Sequence, residues 1–260
     1  MSHEGGPAAD RADVTMEREG DHVAVVCLRR PPNNFFDVAL VEGLASAYEE
    51  LAGTDWCRSL VLASEGKHFC AGLDFAGNAG QEIGALYEAA LRIFAAPLPV
   101  VAAVRGAAVG GGCGLALSAD FRVASPRSRF SANFSQLGFH HGFALTVTLP
   151  AAVGAQAAAD LLLTGRRIGG EEALSLGLCE RLVDEGQELA GAVGYARELA
   201  TAGPLAVRAI RATLRQGLVD AARQGMALEQ AEQVRLRDTN DFAEGVRAMA
   251  ERRTPRFTAT

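Results

Sequence analysis

Three consecutive glycines, Gly110, Gly111 and Gly112, stand between an apolar run from Leu98 to Val104 and a small-residue stretch from Cys113 to Ala119. The run reads as a buried strand and the stretch as a buried helix. Glycine at a strand-to-helix turn removes side chains where something must approach the backbone. The first amides of a helix have no intrahelical acceptor and lie at its positive end. Such a turn offers N–H donors to an anion or to a developing oxyanion. A tight turn packed under a neighbouring helix would account for the glycines equally well. A second stretch, His68 to Asp74, also follows an apolar strand, Ser59 to Ala63, and also runs into small residues and a glycine. Two such turns can supply two backbone donors to one oxygen.

The elements that must hold these turns follow from the pattern. Val14 to Met16 and His22 to Leu28 read as strands around a Glu19–Gly20–Asp21 turn. Arg29 to Asn34 is a loop, since two prolines fix φ and remove donors. Leu40, Val41, Leu44, Tyr48 and Leu51 share one helical face, and a second helix spans Gln81 to Phe94. Short strands follow at Asp120 to Ala124 and near Phe130. Strand, small-residue loop and helix recur without a fixed period, which predicts α/β crossovers with parallel strands. From about Glu185 the chain reads as purely helical, with helices at Leu205–Leu218, Ala222–Arg237 and Phe242–Arg252. The expected organisation is a disordered tail over 1–11, a core over 12–200 and a helical segment over 201–260.

Composition narrows the function classes. The chain has 260 residues, 49% of them hydrophobic and 22% charged, as in ordinary globular proteins. A net charge of −6 argues against a nucleic-acid partner. The five cysteines are scattered, with no CxxC, which predicts reduced thiols, a cytoplasmic location and no metal site. No apolar run reaches about 18 residues, so no membrane span is expected. The N-terminus carries no basic and apolar secretory pattern. A dinucleotide-binding GxGxxG and a P-loop Gly-Lys-Ser/Thr do not match the glycine run.

The pair of glycine loops, at this separation, resembles the crotonase family, also called the enoyl-CoA hydratase/isomerase family. Phe69–Cys70–Ala71–Gly72–Leu73–Asp74 is similar to that family's AGxD loop, and Gly110–Gly111–Gly112–Cys113 to its second loop. Two more segments resemble it in order. The first is Leu163–Thr164–Gly165 with Glu172–Ala173 and Gly177–Leu178. The second is Asp241, Glu244–Gly245, Glu251–Arg252–Arg253, Pro255 and Phe257. The resemblance implies a ββα spiral core with a C-terminal all-helical trimerisation segment, and a trimer or a hexamer. It implies an acyl-CoA thioester as substrate, with coenzyme A a part of that substrate and no further cofactor. Its oxygen would sit between the N–H groups of Leu73 and Gly111. The nucleotide would lie near Asn34, Phe35, Ala71 and Asp74, and the Arg29–Arg30 pair would either attract phosphates or form a solvated turn.

The chain departs from the family where hydratases carry their two glutamates. Those positions are Gly114 and Phe134 here, and neither can exchange a proton. Standard hydration is therefore not expected. His140 and His141 are the candidate replacement bases, with His141 leading. They adjoin Gly142, the position where some relatives carry a catalytic aspartate. An imidazole with an ordinary pKa of about 6.5 suits general-base work. His68 reads as structural, and Asp37, Glu82 and Tyr87 are lesser candidates for the acyl pocket. Phe134, Phe139 and Phe143 would make that pocket apolar. The alternative is a non-catalytic acyl-CoA binder.

Overall fold

The computed structural model describes residues 13–74 and 82–260. The expected tail over 1–11 therefore lies outside the described residues, as do Phe75 and Gln81. The chain opens with a hairpin, β1 (Val14–Glu19) and β2 (Val23–Leu28), antiparallel with Val14 opposite Leu28. Helix α1 (Val38–Ala52) returns the chain to β3 (Ser59–Ser64), which pairs in parallel with β2. Helix α2 (Ile83–Ala95) then leads to β4 (Val100–Val104), parallel to β3. The β4 strand begins two residues later than the apolar run suggests. Pro99, just before it, has no N–H to place in a ladder, though its carbonyl accepts from Leu60 N at 2.8 Å.

Past a short strand β5 (Ala107–Val109), helix α3 (Gly111–Ser118) takes the glycines into its first turn. Strand β6 (Phe121–Ala124) joins β4, and β9 (Arg181–Leu182) joins β6, both in parallel. The six-stranded order is β1-β2-β3-β4-β6-β9. A second sheet has β7 (Arg129–Ser131) between β5 and β8 (Arg167–Gly169). Between β7 and β8 lie a 3-10 turn (Ser135–Leu137), α4 (Leu145–Val153) and α5 (Ala155–Thr164). Helix α6 (Gly170–Leu176) precedes β9.

The central parallel strands are covered on both faces, as their unbroken apolar sequences require. Helices α1 and α2 pack on one face through Leu40, Leu44, Leu86 and Phe94. Helix α7 (Glu188–Thr201) covers the other, setting Ala192, Val193 and Ala196 against Val61, Val101 and Val123. Three helices follow: α8 (Pro204–Leu214), α9 (Leu218–Arg237) and α10 (Asn240–Ala250). Helix α9 starts four residues before the expected Ala222, because Gly217 at φ +78° turns the chain there. It packs on α2 and α4, and its Ala222 and Met226 belong to the main core.

Helix α8 is attached differently, for it buries no residue. Its Arg211 Nε and the following Arg215 Nη1 both reach Asp120, at 2.8 Å each. Asp120 also accepts from Val100 N at 2.8 Å. The tether is thus ionic and partly buried, where the other helices use apolar faces.

Candidate active site

The AGxD-like loop is stitched between two neighbours by backbone hydrogen bonds. Cys70 N donates to Ala107 O at 3.1 Å, and Val109 N donates back to Cys70 O at 3.0 Å. On the other side Phe36 N donates to Gly72 O at 3.0 Å and Ala71 N to Asn33 O at 2.9 Å. The second loop is pressed against the first. A Cβ on Gly112 would lie 2.1 Å from Cys70 O, so only glycine fits there. Gly72 has φ +83°, and a Cβ on it would meet Val109 O at 2.8 Å and Gly111 N at 3.2 Å. Leu73 and Gly111 therefore come together on one cavity wall. Among the described residues, no acceptor faces the N–H of either.

The cavity holds about 1120 Å³ and changes character along its length. One end carries Lys67, Arg105, Arg127, Arg129 and Arg167. Among the described residues no carboxylate pairs with Lys67, Arg105 or Arg167, and Arg127 reaches the exposed Glu185 only at 3.4 Å. His68 stands at this end, its Nδ1 buried without a partner. Burial, with Lys67 and Arg167 nearby, holds its pKa below the usual value. The other end is aromatic. The ring of Phe143 lies 5.3 Å from that of Phe36 and 6.4 Å from that of Phe94, and Phe134 and Phe139 complete the wall.

The two positions that matter for hydration are closed in different ways. At Gly114 a Cβ would meet both Cβ and O of Phe143 at 2.7 Å. The volume beside the helix is therefore filled, and a glutamate could not simply be restored. Phe134 puts its ring near Gly110, with Cζ 3.6 Å from where a Cβ would stand.

Phe143 and Ala144 hold this loop at φ 63° and 59°, in the left-handed region. The carboxylate of Glu229, fully buried on α9, fixes them. It accepts from Ala144 N at 2.9 Å, Thr146 N at 2.9 Å and Thr146 Oγ1 at 2.7 Å. It thereby caps α4, whose own N-terminal residue Ala144 offers no side-chain acceptor. Burial raises the Glu229 pKa against these hydrogen bonds. Nothing in the local sequence marks Glu229, since its partners lie more than eighty residues away.

The two histidines stand away from the cavity, which corrects the expectation that they supply its base. His141 Nε2 lies 2.9 Å from Thr146 Oγ1 and 3.9 Å from Glu229. Burial and the adjacent His140 push its pKa down to about 4. His140 Nδ1 lies 2.8 Å from His141 O, and the two rings stack at 4.1 Å. Neither imidazole lines the wall.

Asn34 is also corrected: it is fully buried and lines nothing. Its side chain accepts from Arg30 N and donates to Glu65 O and His68 O at 2.7 Å each, so it staples the loop at φ 50°. Phe35, Ala71 and Asp74 do line the cavity, together with Asn33. Arg29 pairs with Glu65, and Arg30 pairs with Asp13 and Asp37, away from the basic end. Asp37 caps α1 by accepting from Leu40 N, and Glu82 does not reach the wall. Tyr87 does reach it, along with Gln233, a residue that sequence reasoning passed over. Among the described residues no cluster of three His, Cys, Asp or Glu could hold a metal ion.

The family model described as enoyl-CoA hydratase/isomerase matches residues 18–260. The chain belongs to the enoyl-CoA hydratase/isomerase family, within the crotonase superfamily. A putative enoyl-CoA hydratase of Thermus thermophilus is 36% identical over 254 residues, covering 92% of this chain and 98% of the relative. The mitochondrial methylglutaconyl-CoA hydratase of Homo sapiens is 31% identical over 255 residues, covering 93% and 75%. The crystal structure of an enoyl-CoA hydratase/isomerase from Pseudoalteromonas atlantica superposes with a TM-score of 0.84 at 28% identity, covering 95% of this chain and 100% of that one. The family's mixed α/β fold is thus shared along the whole length.

Proposed function

We propose that the chain is an acyl-CoA-processing enzyme that holds a thioester carbonyl between the N–H groups of Leu73 and Gly111. The observation that carries this is the pair of main-chain donors, without protein acceptors, at the contact of two loops on one cavity. The basic end suits the phosphates of coenzyme A, and the aromatic end suits an apolar acyl group. Two fixed donors stabilise a developing oxyanion, each typically by roughly 3–4 kcal/mol in a water-poor site.

The reaction class follows from what the wall lacks. Hydration with two carboxylates has neither group, at Gly114 or at Phe134, and Phe143 fills the first position. A histidine base has no imidazole at the aromatic end. Chemistry that relies on the oxyanion site itself remains, such as decarboxylation to an enolate or attack of water on the thioester. Asp74 and Tyr87 are the described lining groups that can carry a proton near it. The second reading, an acyl-CoA binder without turnover, is favoured by the same lack of a base.

Calorimetry with coenzyme A thioesters, alongside a turnover assay, separates the two. Binding with slow or absent crotonyl-CoA hydration is expected. Crotonyl-CoA hydration at ordinary hydratase rates would refute the reading of Gly114 and Phe134. A ligand-bound structure with the carbonyl oxygen beyond hydrogen-bond reach of both amides would refute the oxyanion site.

Assembly and location complete the proposal. Leu205, Ile210 and Leu214 on α8, with Leu228 and Val234 on α9, expose apolar side chains, which supports a trimer or a dimer of trimers. All five cysteines are free thiols, which suits the cytoplasm. No described helix is long and apolar enough to cross a membrane.

A further inference from the structure

At the aromatic end of the cavity Tyr87, from α2, meets Gln233, from α9, beside Gly142. The contact is close: a Cβ on Gly142 would fall 2.1 Å from Tyr87 Oη and 2.5 Å from Gln233 Nε2. Glycine at this position leaves both polar groups on the wall, and both line the cavity.

Their donors are all spent. Tyr87 O–H donates to Gln233 Oε1 at 3.0 Å. The two N–H bonds of the Gln233 carboxamide go to His140 O at 3.1 Å and His141 O at 3.3 Å. That fixes the carboxamide so that its oxygen faces Tyr87. Tyr87 Oη in turn accepts from Phe143 N at 3.3 Å. A carboxamide oxygen has two lone pairs, and a phenolic oxygen both donates and accepts. One acceptor site therefore remains on Gln233 Oε1 and one on Tyr87 Oη. Burial, with Glu229 close by, raises the Tyr87 pKa, so the phenol keeps its proton. Among the described residues nothing else donates to either oxygen. Acceptors facing an aromatic chamber are unfavourable until a donor meets them.

We propose that Tyr87 and Gln233 form an acceptor pair that binds a hydroxyl on the acyl group, selecting hydroxyacyl thioesters over all-carbon ones. The proposal rests on the acyl-CoA reading above. It assigns Tyr87 and Gln233 a specificity role and leaves the reacting carbonyl to the two amides. A group that can only accept, such as an ether or a ketone, finds no donor there.

Isothermal titration with three matched ligands tests it: hexanoyl-CoA, hydroxyhexanoyl-CoA with the hydroxyl scanned from the third to the sixth carbon, and the corresponding methyl ethers. The wild-type protein should bind at least one alcohol about fivefold to tenfold more tightly than hexanoyl-CoA, the worth of one to two net hydrogen bonds. The matching ether should lose that gain. In Tyr87→Phe, with folding checked by circular dichroism, the alcohol-to-alkyl ratio should fall to about one.

If hexanoyl-CoA binds and no alcohol is preferred, the acceptor pair is wrong while the acyl-CoA reading stands. If no coenzyme A ester binds, both fall. A preference that persists in Tyr87→Phe, or an ether that binds as tightly as its alcohol, also overturns the proposal. The ether comparison uses the wild-type protein alone, so it decides even where the variant does not fold.

Discussion

Replacing Gly114 by glutamate would place a carboxylate where hydratases of the family carry one. The structure opposes it at the first atom. A Cβ there meets Phe143 Cβ and Phe143 O at 2.7 Å, and Phe143 Cδ1 at 3.2 Å. One of these atoms belongs to the backbone, and that backbone cannot easily retreat. Phe143 and Ala144 sit in the left-handed region, with Ala144 N and Thr146 N bound to the buried carboxylate of Glu229. Inserting atoms into a packed site costs about 1–3 kcal/mol, and glutamate adds a buried charge to the same crowding, so about 3 kcal/mol is expected. For a chain near this size each kcal/mol lowers Tm by about 2–4 °C, which predicts a fall of about 6–12 °C. Scanning fluorimetry measures the fall, and a crotonyl-CoA assay should show no gain in hydration. Gly114→Glu/Phe143→Ala should recover only part of the loss, since the carbonyl remains. A Gly114→Glu protein with wild-type Tm and new hydratase activity would refute both the packing account and the function drawn from it.

Other perturbations should give equally definite results. His141 is held near pKa 4 in the folded chain, against an ordinary value of about 6.5, so the unfolded state binds its proton first as pH falls. The stability of the wild type relative to His141→Asn should therefore drop by up to about 3 kcal/mol between pH 6.5 and 4, and urea titrations at a series of pH values would detect it. A constant difference across that window would refute the burial assigned to His141. Arg105→Ala or Arg167→Ala should weaken coenzyme A binding about tenfold, and the effect should shrink in high salt. Equal affinity by calorimetry would remove the phosphates from the basic end. Asp120→Ala strands Arg211 and Arg215 and should cost about 3–5 kcal/mol in chemical denaturation, with Asp120→Asn costing less.

Much of the fold was legible because it depends on local chemistry. Unbroken apolar runs announced β3 and β4, and the small residues around Gly72 and Gly112 announced a place where two backbones touch. The misreadings share one cause: they turn on contacts between distant segments. Phe143 takes the space at Gly114 only because Glu229, eighty-five residues further on, bends its loop. Asn34 reads as a polar loop residue near a ligand, yet its amide is consumed by Glu65 O and His68 O. His140 and His141 sit in the expected loop, but the side on which a loop displays its rings depends on the helix that receives it. Gln233 carries no motif at all, and its partner Tyr87 lies 146 residues away.

The free N–H groups of Leu73 and Gly111 belong to the peptide chain itself. No single side-chain replacement can delete them without also breaking the turn. Codon changes can repaint every wall of the chamber, as Phe134 illustrates, while this notch is inherited intact. A scaffold so arranged can swap one reaction for another, or fall silent, and still grip the same kind of carbonyl.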